Sequence, residues 1–191
     1  SMTGRQTRAS ALTPWKAIAA PLSCARAIET AQLAHLGAEG PRDPFLGPDG
    51  YLVKACEGDY QFEGLIEGLS PMQSSVVSRT HLKLWPVGYL AHSSLDVARE
   101  LHSRRRRRQI AAVEVHTVNA AMEIMDSADK RWPETRETAD HSLAYCVAAV
   151  LEFGEIQPTM FEPSFIATSG LREMVRDRMR LEASADFNAS Y

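Results

Sequence analysis

The chain has 191 residues, with 21 lysines and arginines against 24 aspartates and glutamates and a formal net charge of −3. That length holds one domain or one and a half, and 45% hydrophobic with 24% charged residues is an ordinary globular balance. The mild acidity excludes a global pull towards nucleic acid or anionic membrane, and no apolar run approaches the length of a membrane span.

No secretory signal opens the chain, and Ser1-Met2 reads as a cloning remnant ahead of the native sequence. The three cysteines, Cys24, Cys56 and Cys146, are odd in number and widely spaced, which argues against a disulfide framework and fits a reducing, cytoplasmic setting. Cys24 and Cys146 fall on apolar helical faces and are expected to be small core residues.

From Trp15 to Leu36 the spacing of Ile18, Leu22, Ala25, Ile28, Leu33 and Leu36 predicts a helix with one buried face, kinked or restarted at Pro21 and stopped at Gly37. Residues 38–50, rich in Gly, Pro and Asp, predict a loop, and Tyr60 to Leu69 a short helix. Val76 to Trp85 alternates and carries β-branched residues, so a strand is expected there, ending at Pro86. Ser93, with Asp96 three residues on, has the form of a capping box for a helix burying Leu95, Ala98 and Leu101. Ile110 to Val118 alternates most clearly and predicts a second strand, followed by a short helix over Ala120 to Asp126. One long helix is expected from Glu137 to Gly154, with Ala139, Ser142, Leu143, Cys146, Ala149, Val150 and Phe153 as its stripe. Ser169 is expected to cap a last helix, and Leu181 onward to be extended without a clear terminal element.

This order predicts an α+β fold: a two-layer unit over 76–191, preceded over 1–75 by a helix and loop with no place in it.

Two lysines stand out, because the chain has only four. Lys16 opens an apolar helix and Lys83 lies in the segment that ends at Trp85-Pro86. A lysine in an apolar setting is costly unless its ammonium meets an anion or reaches water. Capture of substrate carboxylates and simple snorkelling are both open. His141 and Tyr145, four residues apart on the expected long helix, would share a face and mount a site on rigid scaffold, or else satisfy each other or a nearby loop. The six histidines lack the spacing of a metal site, so no metal is expected. No phosphate loop and no nucleophile elbow is present. The run Arg104 to Arg108 reads as a solvated helix end rather than a nucleic-acid patch.

Four segments in order carry a resemblance: Trp15-Lys16, then Gly40-Pro-Arg-Asp-Pro-Phe-Leu-Gly47, then Thr80-His-Leu-Lys-Leu-Trp-Pro86, then Glu137-Thr-Ala-Asp-His-Ser-Leu-Ala-Tyr145. From about Arg8 to Tyr191 the chain resembles the MmgE/PrpD family, which includes 2-methylcitrate dehydratase, cis-aconitate decarboxylase and an iminodisuccinate epimerase. The resemblance implies a fragment: the lid of a longer enzyme, joined to a helix of an all-helical domain that is mostly absent. The missing half would supply an aspartate and histidines to the active site. It further implies catalytic roles for Lys16, Lys83 and Tyr145 and substrate contacts from His92, His141 and Ser142, with no cofactor.

Departures at Leu46, where many relatives have Glu, and after Pro86, where Val-Gly-Tyr-Leu-Ala-His92 replaces the Cys and Arg of some dehydratases, bear on the substrate. The implied reaction is dehydration of a small polycarboxylate such as 2-methylcitrate, in propionate metabolism, by a cytoplasmic homodimer. Decarboxylation or epimerisation within the family is the alternative. A non-enzymatic binding module on the same fold is the alternative of another class. The fragment alone is expected to be inactive, and neither nucleic acid nor membrane is an expected partner.

Overall fold

A computed structural model describes residues 12–55, 76–105 and 109–191. The chain forms two compact units, one comprising Ser1–Ala19 with Lys83–Tyr191 and the other Ala20–Leu82.

The larger unit is organised around one helix. Its sequence, Leu-Ala-Tyr-Cys-Val-Ala-Ala-Val-Leu, has no polar face, and every residue from Leu143 to Leu151 is buried. A helix apolar on all sides belongs inside a domain. This helix, α7 (Leu143–Phe153), is packed by α3 (His92–Arg104), α5 (Ala128–Arg131) and α9 (Leu171–Arg178). Leu95 and Ala98 of α3 and Leu171, Met174 and Val175 of α9 complete this core. Each large aliphatic side chain so enclosed contributes about 1.5–3 kcal/mol of transfer free energy. Gly154 ends α7 with φ of 81°, a left-handed cap that an L side chain resists.

The expected single helix from Glu137 to Gly154 is in fact two. A short α6 (Arg136–Ala139) starts in a capping box between Thr135 and Thr138, and the chain then leaves helical geometry before α7. The break comes from Ser142, whose hydroxyl accepts the Tyr145 backbone N–H and so caps a new helix instead of continuing the old one.

Two strands, β1 (Val113–Thr117) and β2 (Met179–Ala183), pair in parallel with Val113 opposite Met179 and Thr117 opposite Ala183. Between them run α4 (Asn119–Met125), α5, α6, α7, α8 (Pro163–Thr168) and α9, and both α4 and α9 pack on β2. Helices around a small sheet make this an α+β fold, as the alternation and periodicity indicated. The extended segment after Leu181 begins two residues earlier, and a helix not expected from sequence, α10 (Ala185–Ser190), follows it under a Ser184 cap.

Other expectations are corrected. Val76 to Trp85 is no strand: Val76–Arg79 is a 3₁₀ turn, and Leu82 and Leu84 are 85% and 82% exposed. Alternation specifies a strand only when a neighbour takes up the backbone hydrogen bonds, and the only ladder among the described residues is β1 with β2. Ser93 does not cap α3. The cap is Ala91, two positions earlier, and Asp96 accepts instead from Trp85 Nε1 at 3.2 Å and Arg99 at 3.3 Å. Leu101 of α3 is 51% exposed. At α9 the cap is Gly170, with φ of 75°.

The helix predicted from Trp15 is present as α1 (Trp15–His35), with Pro21 inside it and Gly37 at φ of 95° beyond it. None of its residues is buried, so the expected core face, Cys24 included, is exposed. The Gly- and Pro-rich stretch after it is a loop leading to a one-turn α2 (Tyr51–Ala55). The helix expected over 60–69, Cys56, and part of the arginine run lie outside the described residues. Among the described residues no helix is long and apolar enough to cross a membrane.

Candidate functional site

The larger unit contains a turn that the sequence builds from Lys83-Leu-Trp-Pro-Val-Gly88. Pro86 fixes its own φ, and the Val87 N–H reaches the Trp85 carbonyl at 2.8 Å across it. Trp85 and Val87 are 7% and 2% exposed and anchor the turn in the core. The Trp85 indole donates to Asp96 and lies under the Arg99 guanidinium, 5.3 Å from the ring centroid. On this anchored turn the Lys83 ammonium folds back and donates to the Val87 carbonyl at 2.9 Å.

Gly88 joins the turn to the break between α6 and α7. Its N–H donates to the Asp140 carbonyl at 3.0 Å. Its φ is ordinary, and a Cβ there would stand 2.7 Å from Met125 Cε, the end of a flexible side chain that would have to shift.

At the break, His141 lies between two partners: its Nδ1 meets the Asp140 carboxylate and its Nε2 meets Lys16 Nζ from the first turn of α1. Asp140 and His141 keep 26% and 15% of their side-chain surface, so the group sits at a surface and not in the core.

His92, at the start of α3, completes the neighbourhood. Burial first, and then the Lys83 ammonium, hold its imidazolium below the ordinary value of 6.5, while Asp96 and the Trp85 backbone oppose the shift. Its Nε2 is buried with no partner among the described residues, and its ring lies 5.4 Å from that of Tyr89. His92 also borders a cavity of about 600 Å³ along β1, α3 and α7, which the other nominated residues do not line.

Two nominated residues stand elsewhere. Tyr145 is fully buried in α7, and its hydroxyl donates to the Met160 carbonyl at 2.8 Å. Burial pushes that phenol up to about 12. Ser142 is 1% exposed, and its hydroxyl accepts the Tyr145 N–H and donates to the Lys130 carbonyl. The same burial raises the Cys146 thiol, which is a core group as expected.

The structure thus gathers Lys16, Lys83, His92 and His141 about one turn and one helix break, and leaves Tyr145 and Ser142 behind them as support. Sequence reasoning passed over Asp140, although its place beside His141 was the available signal. It also passed over Lys130, which is 8% exposed with Nζ donating to the Ile124 carbonyl at 2.6 Å. Two ammonium groups and an imidazole, mounted on a helix start, a turn and a helix break, can hold a carboxylate-bearing molecule and stabilise charge that grows on it.

This is an α+β domain presenting a cationic, histidine-containing group at the junction of its turns. Residues 85–191 match the MmgE/PrpD C-terminal domain, and the chain belongs to the MmgE/PrpD family. Membership suggests a lyase-type enzyme. No curated protein matches the chain.

Proposed function

We propose that the protein is a hydro-lyase acting on a small polycarboxylate such as 2-methylcitrate. It removes an α-proton and expels the β-hydroxyl as water. The observation that carries this reading is the pair of cationic side chains, Lys16 and Lys83, brought to one turn beside His141 in a chain of this family. Loss of an α-proton next to a carboxylate spreads negative charge onto its oxygens. Lys16 and Lys83 oppose that charge, and an interaction that strengthens as charge develops lowers the barrier. His141, with both ring nitrogens engaged, serves the substrate by holding Lys16, and His92 offers an Nε2 that has no partner among the described residues. Tyr145 and Ser142 act at one remove, by fixing the start of α7 and with it the position of His141. The chemistry asks for no metal or organic cofactor.

The family resemblance implies that an aspartate and histidines outside this chain contribute to the active site. The chain alone is therefore inactive, and the longer protein works as a cytoplasmic homodimer. The test is ultraviolet absorbance of the longer protein mixed with 2-methylcitrate. A rise from the conjugated alkene, abolished by Lys83→Ala, is expected. No rise from a folded protein would move the reading to decarboxylation or epimerisation. Turnover of a tricarboxylate by the 191-residue chain would overturn the division of the site.

A further inference from the structure

We infer that Asp140 is a positioning residue that acts through His141 to aim the Lys16 ammonium. The two partners of the His141 ring are chemically one-way. A carboxylate can only accept a hydrogen bond and an ammonium can only donate one. Asp140 facing Nδ1 therefore requires a proton on Nδ1, and Lys16 facing Nε2 requires a bare lone pair there. The ring is fixed as the neutral Nδ1–H tautomer, the minor one for a free imidazole.

Asp140 is itself held in place: its backbone carbonyl takes the Gly88 N–H from the turn that carries Lys83, and Ser142 stops the chain two residues on by starting α7. The consequence falls on Lys16. One of its three N–H groups is spent on His141, and its long flexible stem is held at that point, so the ammonium is presented in a defined direction and not swept over the surface. Reversal of the tautomer would set an N–H against the ammonium and break this contact. The role in substrate binding rests on the lyase reading, but the tautomer does not.

The experiment is nitrogen-15 NMR of the histidine rings in the 191-residue chain at neutral pH. The signal of His141 is assigned by its loss in His141→Gln. In the wild-type chain we expect a protonated Nδ1 and a bare Nε2. In Asp140→Asn, which preserves the backbone bond to Gly88, that pattern gives way to the Nε2–H form or to a mixture. An Nε2–H ring in the wild-type chain, or a tautomer unchanged in Asp140→Asn, overturns the proposal whether or not the enzyme turns out to be a lyase. In the longer protein, loss of one charge-assisted contact predicts a fall in kcat/KM of roughly tenfold or more for Asp140→Asn. The fall is shared between a higher KM and a lower kcat, because Lys16 grips the substrate in the ground state and more strongly as charge develops. An unchanged KM with the tautomer confirmed would overturn the aiming of Lys16 while leaving the ring assignment intact.

Discussion

His141 and Tyr145 stand four positions apart, yet their surroundings are opposite. Tyr145 lies in a helix buried on every side, its ring enclosed and its hydroxyl given to a carbonyl of the core. His141 lies in the irregular turn just before that helix, with a carboxylate on one ring nitrogen, an ammonium on the other, and one edge towards solvent. Ser142 makes the division, since its hydroxyl starts the helix that encloses Tyr145 and thereby leaves His141 outside it. A polar residue acquires a role from the backbone geometry on which it stands more than from its neighbours in sequence. Here the rigid element supplies position and the turn supplies exposed chemistry.

The contrast can be broken most forcefully from the buried side. Tyr145→Ala removes the largest fully buried side chain among the described residues and is expected to cost about 3–5 kcal/mol of stability, read from denaturant midpoints. A change of a few tenths would mean that the ring is not in the core. Ser142→Ala removes the helix cap and leaves the Lys130 carbonyl without its donor, for an expected loss of about 1–2 kcal/mol by the same measurement. If α7 instead extended back through residue 141, this variant would be neutral.

A smaller change sharpens the comparison. Tyr145→Phe keeps the ring and deletes the hydroxyl, with its bond to the Met160 carbonyl and its hydrogen bond with the Ser169 side chain, so about 1–2 kcal/mol of stability is lost. In the longer enzyme, turnover by this variant should follow its folded fraction. Abolished turnover with unchanged stability would assign the phenol to the chemistry.

The smallest effect concerns His92. The folded chain holds its imidazolium below 6.5, so below that pH the unfolded chain binds the proton more readily and stability declines with acidification. Between pH 7 and about 5, His92→Gln should flatten that decline. An equal slope in both proteins would place the titrating group elsewhere.

Much of this was legible in the sequence, and particular residues show why. The nine-residue apolar run from Leu143, the alternation from Val113 to Thr117 and the stop at Gly154 are local patterns with one physical solution each, and they gave the central helix, a strand and a cap. The Trp15-Lys16, Lys83 to Pro86 and Asp140-His-Ser segments pointed to the family, and their order along the chain suffices for that. Val76 to Trp85 misled because alternation states what a strand would bury without stating whether a partner strand exists. The apolar stripe of α1 misled likewise, since periodicity gives a face and not its cover.

The sequence by itself determined the α+β class, the core helix and the family, because each follows from short-range spacing or from residue identity. Only the tertiary structure decided that Lys16 meets His141 across 125 residues of chain, that Gly88 ties the Lys83 turn to Asp140, and that Tyr145 faces inward. Those contacts depend on where the chain turns at Ser142 and Pro86, and the direction of a side chain beyond a turn is set by packing against distant segments.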